Sequence, residues 1–145
     1  MAVYTAELNR TGTTADIGAI EAPGSSMRRV QILKAEFGID ATPADATLTW
    51  VMIRTSTAST GTSVTPNPVN PADAACVTLA KDVITASGTE GVILESIPLN
   101  QRATYTWVAY GEGELVIAAT ANAGIKLKNG ASSALTATAT VTFRE

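Results

Sequence analysis

The chain of 145 residues contains no histidine, which removes most of the chemistry open to a small protein. Histidine titrates near neutral pH, is the commonest metal ligand, and is the usual base beside a serine or cysteine nucleophile. The single cysteine, Cys76, has no partner for an intrachain disulfide and reads as a small buried hydrophobe rather than a reactive thiol. A zinc site would have to rest on that cysteine and carboxylates, a poor donor set. Calcium asks for closely spaced carboxylates, whereas Asp40, Asp45 and Asp73 are scattered across loops. Two carboxylates can hydrolyse a glycoside, and Glu112 and Glu114 are the closest candidates. They flank a Gly-rich turn, where charges serve solubility. The tripeptide Gly111-Glu112-Gly113 is also too short and too acidic to cradle phosphate. These residues predict no catalytic site, no cofactor and no metal, hence a protein that is not an enzyme.

Charge narrows the partners. The net charge is −3, and Arg28-Arg29 and Lys126/Lys128 are the only close basic pairs. Both pairs are expected to be solvated strand positions, so no nucleic-acid partner is predicted, because phosphate neutralisation needs clustered Lys and Arg. No apolar run approaches the ~20 residues of a membrane helix. The first seven residues have neither the basic nor the apolar region of a signal peptide, so the protein is expected to be made soluble, in the cytoplasm of its host cell.

The elements that must carry these residues are strands. Over residues 134–144, Leu135, Ala137, Ala139, Val141 and Phe143 alternate with Thr136, Thr138, Thr140, Thr142 and Arg144. That period of two marks a strand with one buried face and one wet face, and threonine suits the wet one through its β-branch. Further strands are predicted over residues 3–10, 27–37, 46–55, 92–97 and 103–110, with shorter ones near 77–84, 114–118 and 125–128. Trp50 shares a face with Leu48 and Met52, and Trp107 with Tyr105 and Ala109, so both indoles are expected inside. Pro98 should end the strand before it, and residues 111–113 should close a short hairpin. Asn70-Pro71-Ala72-Asp73 has the cap and first residue of a helix, with room for one turn.

Residues 11–26 and 56–70 are poor in large apolar side chains and read as loop or extended arm, suited to strapping across a partner. The expected fold is all-β: a single-domain antiparallel β-sandwich of about eight strands, with jelly-roll topology. Residues 1–26 are its N-terminal strand and extended arm, and residues 27–145 the sandwich domain.

Two segments carry a resemblance. Residues 62–75, TSVTPNPVNPADAA, resemble a loop of small β-rich structural proteins of tailed bacteriophages. Residues 97–109, IPLNQRATYTWVA, resemble the strand pair that follows it, and the runs 114–117 and 121–125 continue in register. The resemblance covers roughly residues 46–144. It implies a jelly-roll virion component: a head decoration, or cement, protein that binds the major capsid protein on the outside of the lattice. It carries no catalytic motif, so the residues singled out are candidate contacts: Tyr4, Leu8, Pro66, Asn67, Pro68, Asn100 and Arg102. Threonine-rich strands with few charges suit a subunit interface, and a closed homo-oligomer, a trimer, is expected. The competing expectation is a carbohydrate- or receptor-recognising β-sandwich module of a phage tail or fibre, which would expose Trp or Tyr as a stacking platform.

Overall fold

The alternating run near the end of the sequence forms the strand on which one whole layer is assembled. In the computed structural model, which describes residues 1–10, 15–25, 28–40, 42–130 and 135–145, it is β12 (Ala137–Arg144), with alternate residues buried. The preceding strands are β1 (Val3–Arg10), β2 (Asp16–Glu21), β3 (Val30–Ile39), β4 (Thr47–Thr55), β5 (Thr60–Val64), β6 (Asn67–Pro68), β7 (Leu79–Ala86), β8 (Glu90–Asn100), β9 (Tyr105–Val108), β10 (Leu115–Ile117) and β11 (Gly124–Asn129). They pair antiparallel throughout, in two sheets.

The first sheet runs β6-β1-β12-β3, with β9 and β10 end to end along the far side of β3; the second runs β5-β7-β2-β11-β4-β8. The β-sandwich expected from the sequence is thus present, and its apolar faces meet in one core. Tyr4, Leu8, Ile32, Phe37, Val141 and Phe143 come from the first sheet, and Ile17, Ile20, Leu48, Trp50, Met52, Ile125 and Leu127 from the second. Phe37 and Trp50 meet across the layers with ring centroids 5.5 Å apart, and Tyr4 packs on Phe143 at 5.8 Å. Gly18 lets β1 and β2 approach: a Cβ there would lie 2.9 Å from Leu8 Cβ and 2.6 Å from the Lys81 carbonyl oxygen.

Several expectations are corrected. The supposed arm contains β2, which lies between β7 and β11 with all of its residues buried. Asp16, Gly18 and Glu21 gave it the polarity of a loop, but a strand covered on both faces need not alternate. The rest of the supposed arm is partly outside the described residues (11–14 and 26). The segment 56–70 contains β5 and β6. Part of it packs on its own chain: β6 pairs with Tyr4 and Thr5, and the Val69 N–H donates to the Val3 carbonyl at 2.8 Å. This covers the edge of β1 with a strand of only two residues, one of which, Pro68, has no N–H to extend the ladder.

Pro98 lies inside β8 rather than ending it, opposite Thr49, because β8 is an edge strand and an edge tolerates a missing donor. β9 and β10 do not form a hairpin; each pairs with its own stretch of β3. At 70–73 the Asn70 side chain accepts from the Ala72 N–H and its carbonyl from the Asp73 N–H, so the cap forms a turn that no helix follows.

Two short connections, residues 56–59 and 87–89, shape the outside of the second sheet. β4 and β7 must each cross that sheet to reach β5 and β8, and the two crossings run side by side. The Ser56 N–H donates to the Thr89 carbonyl at 3.0 Å, and the Gly88 N–H to Ser59 Oγ at 3.2 Å. Together they make an arch over the outer face of β2 and β11, so close that a Cβ on Gly88 would strike the Thr57 carbonyl oxygen.

Candidate interaction surface

The candidate contact residues do not gather on one surface. Tyr4 and Leu8 are 2% and 0% exposed and belong to the core, because β1 lies between β12 and β6 and turns its apolar alternates inward. Pro66 is buried as well. Asn67 is exposed and Pro68 half-buried on β6, at the end of the first sheet where Val3 pairs with Arg144. Asn100 and Arg102 are exposed at the opposite end, where the Gln101 N–H donates to the Ala46 carbonyl and Asn100 Nδ2 to Asp45 Oδ1 at 2.6 Å. The Asn100 side chain also closes its own turn, its Oδ1 accepting from the Arg102 N–H at 2.9 Å.

The surface that the fold does assemble is the side where both sheets stop. Phe37 of β3 lies over Trp50 of β4, and the Arg54 guanidinium donates to the Val116 carbonyl of β10 at 2.5 Å. The β9/β10 edge of the first sheet therefore stands over the β4/β8 edge of the second. Of the seven large apolar side chains exposed among the described residues, four belong to the strands of this edge: Val92 and Ile93 on β8, and Val108 and Tyr110 at the end of β9, with Tyr110 95% exposed. Val108 pairs with Lys34 and turns to the outer face of the first sheet, and Ile93 pairs with Ile53 and turns to the outer face of the second. The register of β8 against β4 shifts between Met52 and Ile53 and again before Thr55, and bulges of this kind disturb the alternation of a strand and spoil its edge as a template for strand addition. Contact here would be made by side chains. Trp107, expected in the core, is half-buried, because β9 is a short edge strand with no further neighbour to cover it. The outer face of the first sheet is different: Glu36, Gly38, Thr104, Thr106, Thr138 and Thr140 line a shallow depression of about 280 Å³.

The charged groups follow three patterns. Glu112 is exposed, whereas Glu114 is held by Arg144 and, at 2.9 Å, by Gln31 Nε2, so the two carboxylates do not converge on a common point. The Lys126/Lys128 pair is not a solvated strand surface. Lys126 is fully buried beneath the arch, with Nζ 3.1 Å from Asp16 Oδ1 and 2.7 Å from Glu90 Oε1, and Lys128 Nζ reaches the same Glu90 oxygen at 2.8 Å. Hydrogen bonds from Lys126 and then Lys128 hold the Glu90 carboxyl below its ordinary range. Beside them, Glu21 is ion-paired with Lys81, Nζ to Oε2 at 2.8 Å, and accepts from the Ser59 N–H through Oε1 at 2.7 Å. The local sequence, alternating Lys with apolar residues, has no signal for this burial, because the cover comes from residues 56–59 and 86–90.

Glu145 is the third pattern. Its carboxylate accepts from the Val77 and Thr78 N–H groups, each at 2.9 Å, and from Thr78 Oγ1 at 2.5 Å. Burial pushes its carboxyl up, but these hydrogen bonds outweigh burial and leave it below the ordinary value. A lowered folded-state pKa means stability that is fully present above the unfolded value and is lost as the pH falls through the folded one. Urea midpoints are therefore expected to fall on acidification below about pH 4.5, and Glu145→Gln should flatten that dependence and cost about 2–3 kcal/mol at neutral pH. An unchanged acid limb in the variant would remove Glu145 as its source. Next to this clamp, burial and then Glu145 push the Cys76 thiol up to about 12, which leaves it protonated and unreactive.

Among the described residues no three His, Cys, Asp or Glu side chains gather as a metal site requires, and no helix is long and apolar enough to cross a membrane. No protein-family model matches the chain. No curated protein and no solved structure matches it either.

Proposed function

We propose that the chain is a structural virion protein of a tailed bacteriophage. In this reading it is a decoration, or cement, protein that binds the major capsid protein on the outside of the head, as a homo-oligomer and most simply a closed trimer. The observation that carries the reading is the side of the sandwich bounded by β8, β9 and β10, where Val92, Ile93, Val108 and Tyr110 are exposed. Exposed apolar residues on these edge strands offer contact area for a partner that wraps the edge, and aromatic anchors such as Tyr110 supply much of the binding energy in interfaces. The strand order supports the jelly roll. β1-β12-β3 continued by β9 and β10, stacked on β2-β11-β4-β8, follows the double Greek key that recurs in viral capsid domains, with β5, β6 and β7 as an insertion between β4 and β8. The virion context comes from the resemblance of residues 62–75 and 97–109 to phage structural proteins.

Light scattering at micromolar concentration should report an oligomer, and the protein should co-sediment with heads stripped of tails. Ile93→Glu combined with Tyr110→Ser should leave the fold intact and weaken head binding at least about tenfold, the effect of losing about 1.4 kcal/mol. A monomer that ignores heads would overturn the reading. The alternative, a glycan-binding module of a tail or fibre, draws on the exposure of Tyr110. It would gain if the protein bound glycans and Tyr110→Ala abolished that binding.

A further inference from the structure

Lysine and aspartate are almost never fully buried unless they are paired. The side chains of Lys126 and Asp16 are 0% and 2% exposed, with Nζ 3.1 Å from Oδ1. Each has a second partner. Glu90 Oε1 is 2.7 Å from Nζ, and the Ser87 hydroxyl donates to the other carboxylate oxygen, Asp16 Oδ2. Asp16 and Lys126 stand on neighbouring hydrogen-bonded strands, β2 and β11, and the arch that closes over them carries both Ser87 and Glu90. An amine is thus held against a carboxyl group, both shut off from water. A carboxylate touches the amine and a hydroxyl touches the carboxyl. These are the requirements of an amide-forming condensation: proximity, a proton carrier, and a donor on the oxygen that gains charge.

We propose that Lys126 and Asp16 join in an intramolecular isopeptide bond between Nζ and Cγ, with Glu90 as the proton carrier. The ammonium passes one proton to the Glu90 carboxylate, and the freed amine attacks Asp16 Cγ. As the C–N bond forms, nitrogen gives up a second proton, and the Cγ–Oδ1 bond breaks. The departing oxygen takes that proton and the one held by Glu90, and leaves as water. Glu90 returns to its ionised form, and Oδ2, hydrogen-bonded by Ser87, becomes the amide oxygen. One positive and one negative charge disappear together, so the net charge is unchanged, and no oxidant or reductant is needed. Burial supplies the driving force. A buried ion pair bears the desolvation of both charges, whereas a neutral amide does not, and the released water is lost to bulk solvent. The bond would tie the first strand of the second sheet to the strand before β12.

The test is mass spectrometry of the purified full chain after unfolding, with a tryptic digest. The expected result is a fragment joining the Asp16 peptide to the Lys126 peptide, lighter than their sum by one water and uncleaved after Lys126. Lys126→Arg should abolish the joined fragment. Glu90→Gln, which keeps both reacting groups, should slow its appearance at least about a hundredfold, the low end of general acid–base contributions. Recovery of separate Asp16 and Lys126 peptides from folded wild-type protein overturns the proposal and leaves a buried ion pair. A joined fragment that forms equally fast in Glu90→Gln overturns the role of Glu90.

Discussion

A chain lacking residues 2–24 is expected not to fold. The deletion removes β1 from between β12 and β6, and β2 from between β7 and β11. It opens both sheets in their interiors rather than trimming an edge. It also strips Tyr4, Leu8, Ile17 and Ile20 from the core, all at 2% exposure or less. Each fully buried large apolar side chain contributes about 1.5–3 kcal/mol, so these four alone approach the roughly 5–15 kcal/mol that holds a typical domain together. Circular dichroism should show no cooperative melt, and amide exchange no protected strand. A truncated chain that melts cooperatively would restore residues 1–26 as an appended arm and would contradict the placement of β2.

Trp50→Ala is expected to cost about 3–5 kcal/mol, the range for emptying a buried aromatic site. Trp50 is 1% exposed, the bulkiest of the fully buried side chains, and it meets Phe37 from the opposite sheet. Its loss leaves a void at the junction of the two layers, which both sheets would have to shift to fill. Trp107→Ala should cost less, roughly 1–2 kcal/mol, because Trp107 packs against the core from an edge strand and keeps part of its surface in water. Urea unfolding of the two variants compares them directly. Equal losses would place Trp107 in the core beside Trp50, and a Trp50 variant as stable as wild type would remove that indole from the centre.

Most of the layer structure is legible wherever a strand has one face in the core and the other in water. β12 reads from Leu135 to Arg144 without an exception, and Leu48, Trp50 and Met52 identify β4 in the same way, because a period of two survives in the order of residues. The signal fails for β2. Its six residues, Asp16 to Glu21, are covered on one side by the core and on the other by the arch, and its two charged residues, Asp16 and Glu21, find their counter-charges on β11 and β7. It fails in the opposite sense for Lys126, whose alternation with Ile125 and Leu127 is that of an ordinary wet face.

What the order of residues determined by itself was the all-β class, the strands that alternate, and the absence of histidine chemistry, because each of these rests on residue type and near spacing. Tertiary structure alone decided which residues are covered from above. Tyr4 and Leu8 became core because β1 is an inner strand, and Asn67 and Asn100 were separated because β6 and the end of β8 lie at opposite ends of the sandwich. Lys126 met Asp16 and Glu90 because two crossings, distant in sequence, run together over the same pair of strands. Burial of a charge depends on what lies opposite it in space, and no local pattern encodes that.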